Sequence, residues 1–234
     1  MAPPPRPRLK DVVARLKAFY GPPARAPVTD PFEMILWENC AYLTTDERRA
    51  AVFQRLKREV GTAPAAILNT PIAVLAVVIR DGGMRPPMRA AKLHAAADLA
   101  LEIGLAQLGR AVRHDPKTAR KLLKRFPGIG DPGADKILLF GGGQRSLGPD
   151  SNVLRVLRRL EFGAEYARYD RTYRSVTEAV ARELPTSFPR LIQAHQLLRH
   201  HGMELCKSGS PRCEVCPLAR GCRWYVSRTG GREG

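Results

Sequence analysis

The chain has 234 residues, 44% of them hydrophobic, and a formal net charge of +17. This composition excludes a disordered chain, and no run of 18 apolar residues is present to cross a membrane. The start, MAPPPRPRLK, lacks the apolar segment of a secretory signal, so we expect a cytoplasmic, nucleoid-associated protein. The charge favours a nucleic-acid partner, although an arginine bias that reflects genome base composition would also produce it.

Helical spacing of apolar residues dominates the pattern along the chain. Residues 1–8 are expected to be a disordered tail. Asp30 and Pro31 are suited to the N-cap and first position of a helix, and TTDE at Thr45 resembles a capping box. The predicted helices span 9–20, 31–43, 45–60, 63–69, 71–80, 88–104, 105–113, 117–125, a stretch within 126–143, 151–160, 171–184 and 188–203. Alternation typical of strands is not found, so the predicted fold class is all-α.

Four of the five cysteines, Cys206, Cys213, Cys216 and Cys222, follow the spacing C-x6-C-x2-C-x5-C. In a chain without an export signal, clustered cysteines indicate metal ligands rather than disulfides. One C-x2-C with longer arms in a short segment favours a 4Fe–4S cluster, and a zinc ion or free thiols are the alternatives. Cys40 stands alone in a predicted helix, where we expect a buried apolar residue.

The segment KLLKRFPGIGDPGADKILLF predicts a helix, a tight hairpin and a second helix. Gly128 and Gly130 permit the sharp turn, and Asp131 is suited to cap the helix that follows. The backbone N–H groups of Gly128, Ile129 and Gly130 would then form a site for one DNA phosphate. An ordinary turn between two helices is the alternative.

The hairpin, then PDSNVLRV, then HGMELC with the four-cysteine motif, resembles the endonuclease III family of helix-hairpin-helix DNA glycosylases. The early segment DPFEMILWENCAYLTTDERRAAVFQRLKREV is similar to that family's opening helices, and the likeness covers about residues 28–225. It implies an all-α fold of two domains. A six-helix barrel would occupy 31–144, and a domain with the cluster would combine 9–30 with 145–225, followed by a disordered tail at 226–234.

The resemblance also implies an activity. Asp150 matches the family's catalytic aspartate, which would stabilise a cationic sugar and activate the nucleophile. A role as the N-cap of the next helix alone also explains its local sequence. The implied partner is double-stranded DNA that contains a lesion or mismatch, with the target base flipped out of the duplex. We expect a monomer that binds no membrane.

A first departure from the family pattern concerns the nucleophile. Bifunctional members have a lysine where this chain has Pro132, and proline has no amine to attack the sugar. Lys136, one helical turn further on, is expected to point away from that spot. The sequence therefore predicts a monofunctional glycosylase that uses water. The alternatives are a bifunctional glycosylase and lyase that uses another amine, and a non-catalytic protein that binds DNA structures.

A second departure concerns the base. Glu38 lies near the position where mismatch adenine glycosylases hold a glutamate that protonates the base, so it is a candidate acid. An ion-paired or solvated helix residue is the alternative reading of Glu38. Oxidised pyrimidines, uracil or thymine mismatches, alkylated purines and adenine mismatches all stay open as substrates.

Two further segments are candidates for DNA contact. Tyr42 or Leu43 would fill the gap left by a flipped base, or would belong to the core. Met84, in the basic loop RDGGMRPPMR, is a candidate second wedge, with Arg85 and Arg89 expected on phosphate. A solvated loop is the alternative.

Overall fold

The computed structural model describes residues 5–23, 26 and 28–229. The chain divides into two compact units, of which one is Ala26–Gln144 and the other combines Met1–Arg25 with Arg145–Gly234. Among the described residues the structure is helical, without strands, which confirms the predicted all-α class. Within that part of the chain, no helix is long and apolar enough to cross a bilayer.

The described residues of the unit Ala26–Gln144 form eight α-helices and one short 3-10 helix at Arg80–Gly82. Its α-helices are α2 (Pro31–Asn39), α3 (Asp46–Glu59), α4 (Pro64–Asn69), α5 (Ile72–Val78), α6 (Pro86–Ile103), α7 (Leu105–His114), α8 (Pro116–Leu123) and α9 (Asp131–Phe140). Buried side chains such as Ile35, Phe53 and Leu93 form one continuous apolar core in this unit. Apolar burial of this kind is the main term that stabilises the helices.

The second unit joins the first helix of the chain to the C-terminal helices. These are α1 (Leu9–Tyr20), α10 (Ser151–Arg159), α11 (Tyr169–Ala181), α12 (Phe188–Glu204) and α13 (Arg223–Thr229), with 3-10 helices at Cys213–Val215 and Ala219–Gly221. Leu16 of α1, Leu157 of α10 and Leu198 of α12 share its core. Three of the four clustered cysteines pack against this core.

Helix ends follow the polar residues that cap them. The Asp30 side chain accepts a hydrogen bond from Glu33 N at the start of α2, and Thr45 caps α3 through Arg48 N. The helix predicted over 31–43 is shorter than expected, because α2 ends at Asn39. Leu43 has a φ of +52°, which a helix cannot accommodate.

The two predicted tails are partly ordered. Arg6 forms an ion pair of 2.6 Å with Glu183, and its guanidinium lies 4.3 Å from the Phe162 ring centroid, so the N-terminal tail was predicted too long. The end of α13 extends to residue 229, into the segment predicted as the C-terminal tail. The tail predictions for residues 1–4 and 230–234 lie outside the described residues.

Candidate functional site

The hairpin between α8 and α9 is held against α2. Gly128 has a φ of +78°, and a Cβ at this position would lie 2.8 Å from Asn39 Oδ1. The buried Asn39 amide donates hydrogen bonds from Nδ2 to the carbonyls of Ile35 at 3.0 Å and Pro127 at 2.9 Å. The hairpin is therefore shaped by one glycine and one buried amide that sequence analysis did not single out.

Two details of the hairpin differ from the prediction. Gly130, not Asp131, is the N-cap of α9. The Ile129 N–H donates to the carbonyl of Phe126 at 3.2 Å, and the Ile129 side chain is buried. Ile129 thus holds the turn together, and the predicted phosphate site rests on the amides of Gly128 and Gly130.

Glu38 forms an ion pair with Lys136 in the same unit. Lys136 Nζ on α9 lies 2.5 Å from Glu38 Oε1 on α2, and both side chains are largely buried. The ion-paired alternative for Glu38 is therefore what the structure shows. Lys136 was expected to point away from the hairpin site, and its ammonium instead contacts Glu38. The sequence spacing gave no indication that α2 and α9 pack together at these two residues.

The predicted wedge residues lie on two exposed loops of this unit. Tyr42 is 52% exposed, Leu43 72% and Met84 56%. Tyr42 N donates a 2.8 Å hydrogen bond to the Gly82 carbonyl, so the loop after α2 is joined to the loop before α6. Arg85 is exposed and has a φ of +54°. The core alternative for Tyr42 and Leu43 is thus wrong, whereas their contact with DNA stays a prediction.

Arg89 does not lie on the surface. It is 3% exposed, so the prediction that it contacts phosphate is wrong. Its guanidinium instead donates hydrogen bonds to backbone carbonyls on both loops. The acceptors are the carbonyl oxygens of Met84 (from Nε), Cys40 and Ile79 (from Nη1), and Arg80 and Gly83 (from Nη2). The basic sequence of the loop gave no sign of this, because the acceptors are all main-chain atoms.

Asp150 caps α10 in the second unit. Its Oδ1 accepts hydrogen bonds from the amides of Asn152 and Val153, both at 2.9 Å, which confirms the predicted N-cap role. Its Oδ2 accepts from Arg199 Nε at 2.8 Å. The side chain stays 23% exposed, so the fixed carboxylate can still be reached from solvent.

Two neighbours of Asp150 were missed by sequence analysis. Arg199 lies on α12, 49 residues further along the chain. The pKa of the Tyr169 phenol is raised by desolvation and then by the negative charge of Asp150, which places this tyrosine within electrostatic range of the carboxylate. Arg199 lies inside α12 and Tyr169 begins α11. Neither position indicates from sequence alone that the residue lies near Asp150.

The four clustered cysteines line one pocket in the second unit, together with apolar side chains such as Leu160 and Leu218. Burial raises the pKa of the Cys216 thiol to about 11 and also raises that of Cys222. Among the residues that the structure describes, no three His, Cys, Asp or Glu side chains stand close enough to hold a single metal ion. A 4Fe–4S cluster bonds its thiolates at separate iron corners, and four thiols around one pocket fit that requirement.

Two polar residues, Arg159 and His201, contact the sulfur atoms, and a third, Tyr20, contacts His201. Arg159 Nη1 lies 3.3 Å from Cys206 Sγ, and a cation there would offset the charge of an anionic cluster. His201 Nε2 lies 3.5 Å from Cys216 Sγ, and its Nδ1 lies 2.9 Å from the Tyr20 hydroxyl. Burial lowers the pKa of His201 to about 4, so this imidazole is neutral at physiological pH. None of the three lies in the cysteine segment from which the cluster was predicted.

Comparison with known proteins finds relatives along most of the chain. The chain is 28% identical over 203 residues to endonuclease III of Sulfolobus acidocaldarius, covering 83% of this chain and 82% of that one. It is 25% identical over 201 residues to a thymine/uracil-DNA glycosylase of Pyrobaculum aerophilum, with coverages of 85% and 83%. No family model matches the sequence.

The fold has a close counterpart among solved structures. A trapped endonuclease III–DNA covalent intermediate superposes with a TM-score of 0.72 at 22% identity, covering 94% of this chain and 97% of the other. In both sequence and fold, the chain is therefore similar to helix-hairpin-helix DNA glycosylases of the endonuclease III type.

Proposed function

We propose that the chain is a DNA glycosylase that hydrolyses the N-glycosidic bond of a damaged or mismatched base, flipped out of duplex DNA. The observation that carries the proposal is the Asp150 carboxylate, which is fixed by two amides and Arg199 and is still partly exposed. Relatives named endonuclease III and thymine/uracil-DNA glycosylase support this class of activity.

Asp150 is proposed to act on the sugar. As the bond to the base breaks, positive charge develops on the sugar ring, and a carboxylate already held in position stabilises it without reorganising. The same carboxylate accepts a proton from the attacking water. Three hydrogen-bond donors restrict the side chain, so little rotamer freedom is lost when the substrate binds.

Glu38 is proposed to meet the flipped base. A carboxylic acid that protonates a base improves it as a leaving group. The Lys136 ammonium, 2.5 Å from Glu38 Oε1, holds the carboxyl group in position and keeps its own proton, so the proton that Glu38 gives to the base comes from solvent. In this scheme Lys136 forms an ion pair with Glu38 and does not attack the sugar.

Water is proposed as the nucleophile, so the enzyme is monofunctional. Pro132 stands at the position of the lysine that bifunctional relatives use, and it offers no amine. The nearby Lys136 amine forms an ion pair with Glu38, and a protonated amine has no lone pair for attack on C1′.

Double-stranded DNA is the proposed partner. The amides of Gly128 and Gly130 would bind a phosphate at the N-terminus of α9, a contact that is independent of sequence. The exposed side chains of Tyr42, Leu43 and Met84 would fill the space that the flipped base leaves. Arg85, also exposed, would contact phosphate.

Cys206, Cys213, Cys216 and Cys222 are proposed to hold a 4Fe–4S cluster in the pocket that they line. When bound, such a cluster cross-links the segment that carries its ligands and can exchange an electron. The hydrolytic step does not involve it. Arg159 at Cys206 and His201 at Cys216 would orient and stabilise the thiolates.

A glycosylase screen tests the proposal. Purified protein is incubated with duplexes that each contain one lesion or mismatch, and alkali then cleaves the strand at any abasic site. We expect excision of at least one base, with strand breaks that appear only after alkali. Tight binding to lesion duplexes without excision of any base would replace the proposal with the non-catalytic alternative.

Borohydride trapping tests the choice of nucleophile. Because no free amine is proposed at the sugar, we expect no covalent adduct between the protein and abasic DNA under borohydride. A stable adduct would identify the bifunctional alternative. Loss of that adduct in Lys136→Met would then name Lys136 as the amine, whereas its persistence would point to another residue.

A further inference from the structure

The guanidinium of Arg89 connects the two loops that carry the exposed wedge residues. We call residues 40–44 and 79–85 the tip loops. A guanidinium has five N–H donors, and all five of Arg89 are used on tip-loop carbonyls. One acceptor, the Cys40 carbonyl, lies on the first loop, and the other four lie on the second.

Two glycines allow the tip loops to approach each other closely. A Cβ at Gly83, whose φ is +104°, would overlap the carbonyl oxygen of Tyr42. A Cβ at Gly82 would meet the carbonyl of Cys40 and lie 2.7 Å from Arg89 Nη1. The backbones are therefore in contact, and the 2.8 Å hydrogen bond from Tyr42 N to the Gly82 carbonyl joins them directly.

The tip loops expose three large apolar side chains and are conformationally unusual. Leu43 and Arg85 have φ values of +52° and +54°, a region that residues with a Cβ rarely adopt. Such conformations persist only where the surrounding structure imposes them, and they concentrate at functional sites. Here the surroundings include Arg89, which is buried. The side chains of Tyr42, Leu43 and Met84 on the same loops are 52%, 72% and 56% exposed.

We propose that Arg89 is a positioning residue for base extrusion, which locks the tip loops into one rigid element so that Tyr42, Leu43 and Met84 enter the duplex together. The inference rests on the proposed function, because it takes these side chains as the group that fills the gap in DNA. Loops that are ordered before binding lose less entropy on insertion than two independent loops. Arg89 itself touches no DNA, because its donors are all committed to the protein.

Two variants loosen the element in different ways. Arg89→Lys keeps the charge but replaces the planar fork, whose five donors point in fixed directions, with a single ammonium that has three. Gly83→Ala keeps the arginine side chain at position 89, but its new Cβ would push the two backbones apart at Tyr42. Arg58→Lys is the matched control, because Arg58 lies exposed on α3 of the same unit and pairs only weakly, at 3.5 Å, with Glu59.

The first readout is the single-turnover excision rate on the lesion that the screen identifies, in duplex and in single-stranded form. Extrusion is needed only in the duplex, so both loosened variants should lose roughly tenfold or more there and stay near wild type on the single strand. Parallel losses on both substrates would show that Arg89 only stabilises the fold, and would overturn the inference. Unchanged duplex rates would overturn it as well.

The second readout does not depend on catalysis. The probe is a duplex with 2-aminopurine opposite a tetrahydrofuran abasic analogue, whose fluorescence rises when the reporter base loses its stacking partners. Wild type and Arg58→Lys should raise the fluorescence, and the two loosened variants should bind the probe but raise it less. If wild type excised no base in the screen, the proposed function would fail. The fluorescence comparison would still decide whether Arg89 positions the tip loops, because it does not require excision.

Discussion

The carboxylate of Asp150 has two separable jobs, capping α10 and acting on the sugar. In Asp150→Asn the side-chain oxygen still accepts from the amides of Asn152 and Val153, but the charge is gone. We expect the single-turnover excision rate to fall by about 10²- to 10⁴-fold. The N-cap is kept, but the amide nitrogen would face Arg199 Nε as a second donor, so some stability is lost as well. Wild-type excision by this variant would remove Asp150 from the mechanism.

Asp150→Ala separates the cap from the charge. It should lose the same activity and, in addition, about 1 kcal/mol of unfolding free energy, because the N-cap acceptor is missing. Arg199 loses its 2.8 Å acceptor in both variants, so the difference between the two variants reports the cap. A urea denaturation curve that matched the Asn variant would show that the cap contributes little.

At the same scale, sequence reasoning found residues that belong to motifs and missed the residues that hold them. Asp150 and the four cysteines follow recognisable spacing. Arg199 contacts Asp150 across 49 residues of chain, and Arg159 contacts Cys206 across 47. Arg89 has four near acceptors but reaches the Cys40 carbonyl across 49 residues, and at such separations no local pattern applies. Arg89 was assigned to the surface because its loop is basic, whereas buried carbonyls can satisfy a guanidinium as well as phosphate can.

Among the elements, most helices were predictable because apolar periodicity and caps act locally. Thr45 was identified as the start of α3 from the capping pattern alone. The predicted end of α2 was wrong by several residues, because tertiary contacts decide it. Asn39, the last residue of α2, holds the hairpin through Pro127, and the following residues are diverted to meet Gly82.

The hairpin offers a matched pair of substitutions. In Gly128→Ala the new Cβ would lie 2.8 Å from Asn39 Oδ1 at a φ of +78°, so both the turn and the buried amide must shift. We expect a loss of roughly 1–3 kcal/mol of unfolding free energy, together with weaker binding to duplex DNA. Urea denaturation and fluorescence anisotropy with a labelled duplex measure the two effects.

Gly130→Ala is the control for that change. Its Cβ would meet only Pro132 Cδ at 3.8 Å, an ordinary contact, and Gly130 does not have a positive φ. Stability should therefore fall by no more than about 1 kcal/mol, because alanine is a poorer N-cap than glycine but its Cβ meets no close contact here. Equal destabilisation by both substitutions would mean that Asn39 does not clamp the hairpin.

On the scale of the whole molecule, each compact unit has its own core and its own kind of functional group. The unit Ala26–Gln144 holds the hairpin, Glu38 with Lys136, and the tip loops. The other unit holds Asp150 and the cysteine pocket. The net charge of +17 attracts DNA to the molecule as a whole, but it does not distinguish one base from another. Specificity therefore has to come from the few fixed side chains and not from the overall charge.

The proposed 4Fe–4S cluster would make the stability of its unit depend on a metal centre. Purified protein should contain about four iron and four sulfide per chain. Cys216→Ser should lose most of both, and α12, which carries His201 at 3.5 Å from that sulfur, should become more sensitive to protease. Cys40→Ser is the control: it replaces a buried cysteine of the other unit, so it should lower stability and keep the iron.

The pH dependence of iron loss gives a further check on the same site. With the pKa of the free Cys216 thiol raised to about 11, protons compete with iron for this ligand throughout the physiological range. Chelator-driven loss of iron should therefore accelerate as the pH is lowered from 9 to 6, followed by the decay of visible absorbance. A rate that stayed constant over this range would show that protonation of these thiols does not limit the loss of iron. Protein that purified without iron would show that they do not carry a cluster.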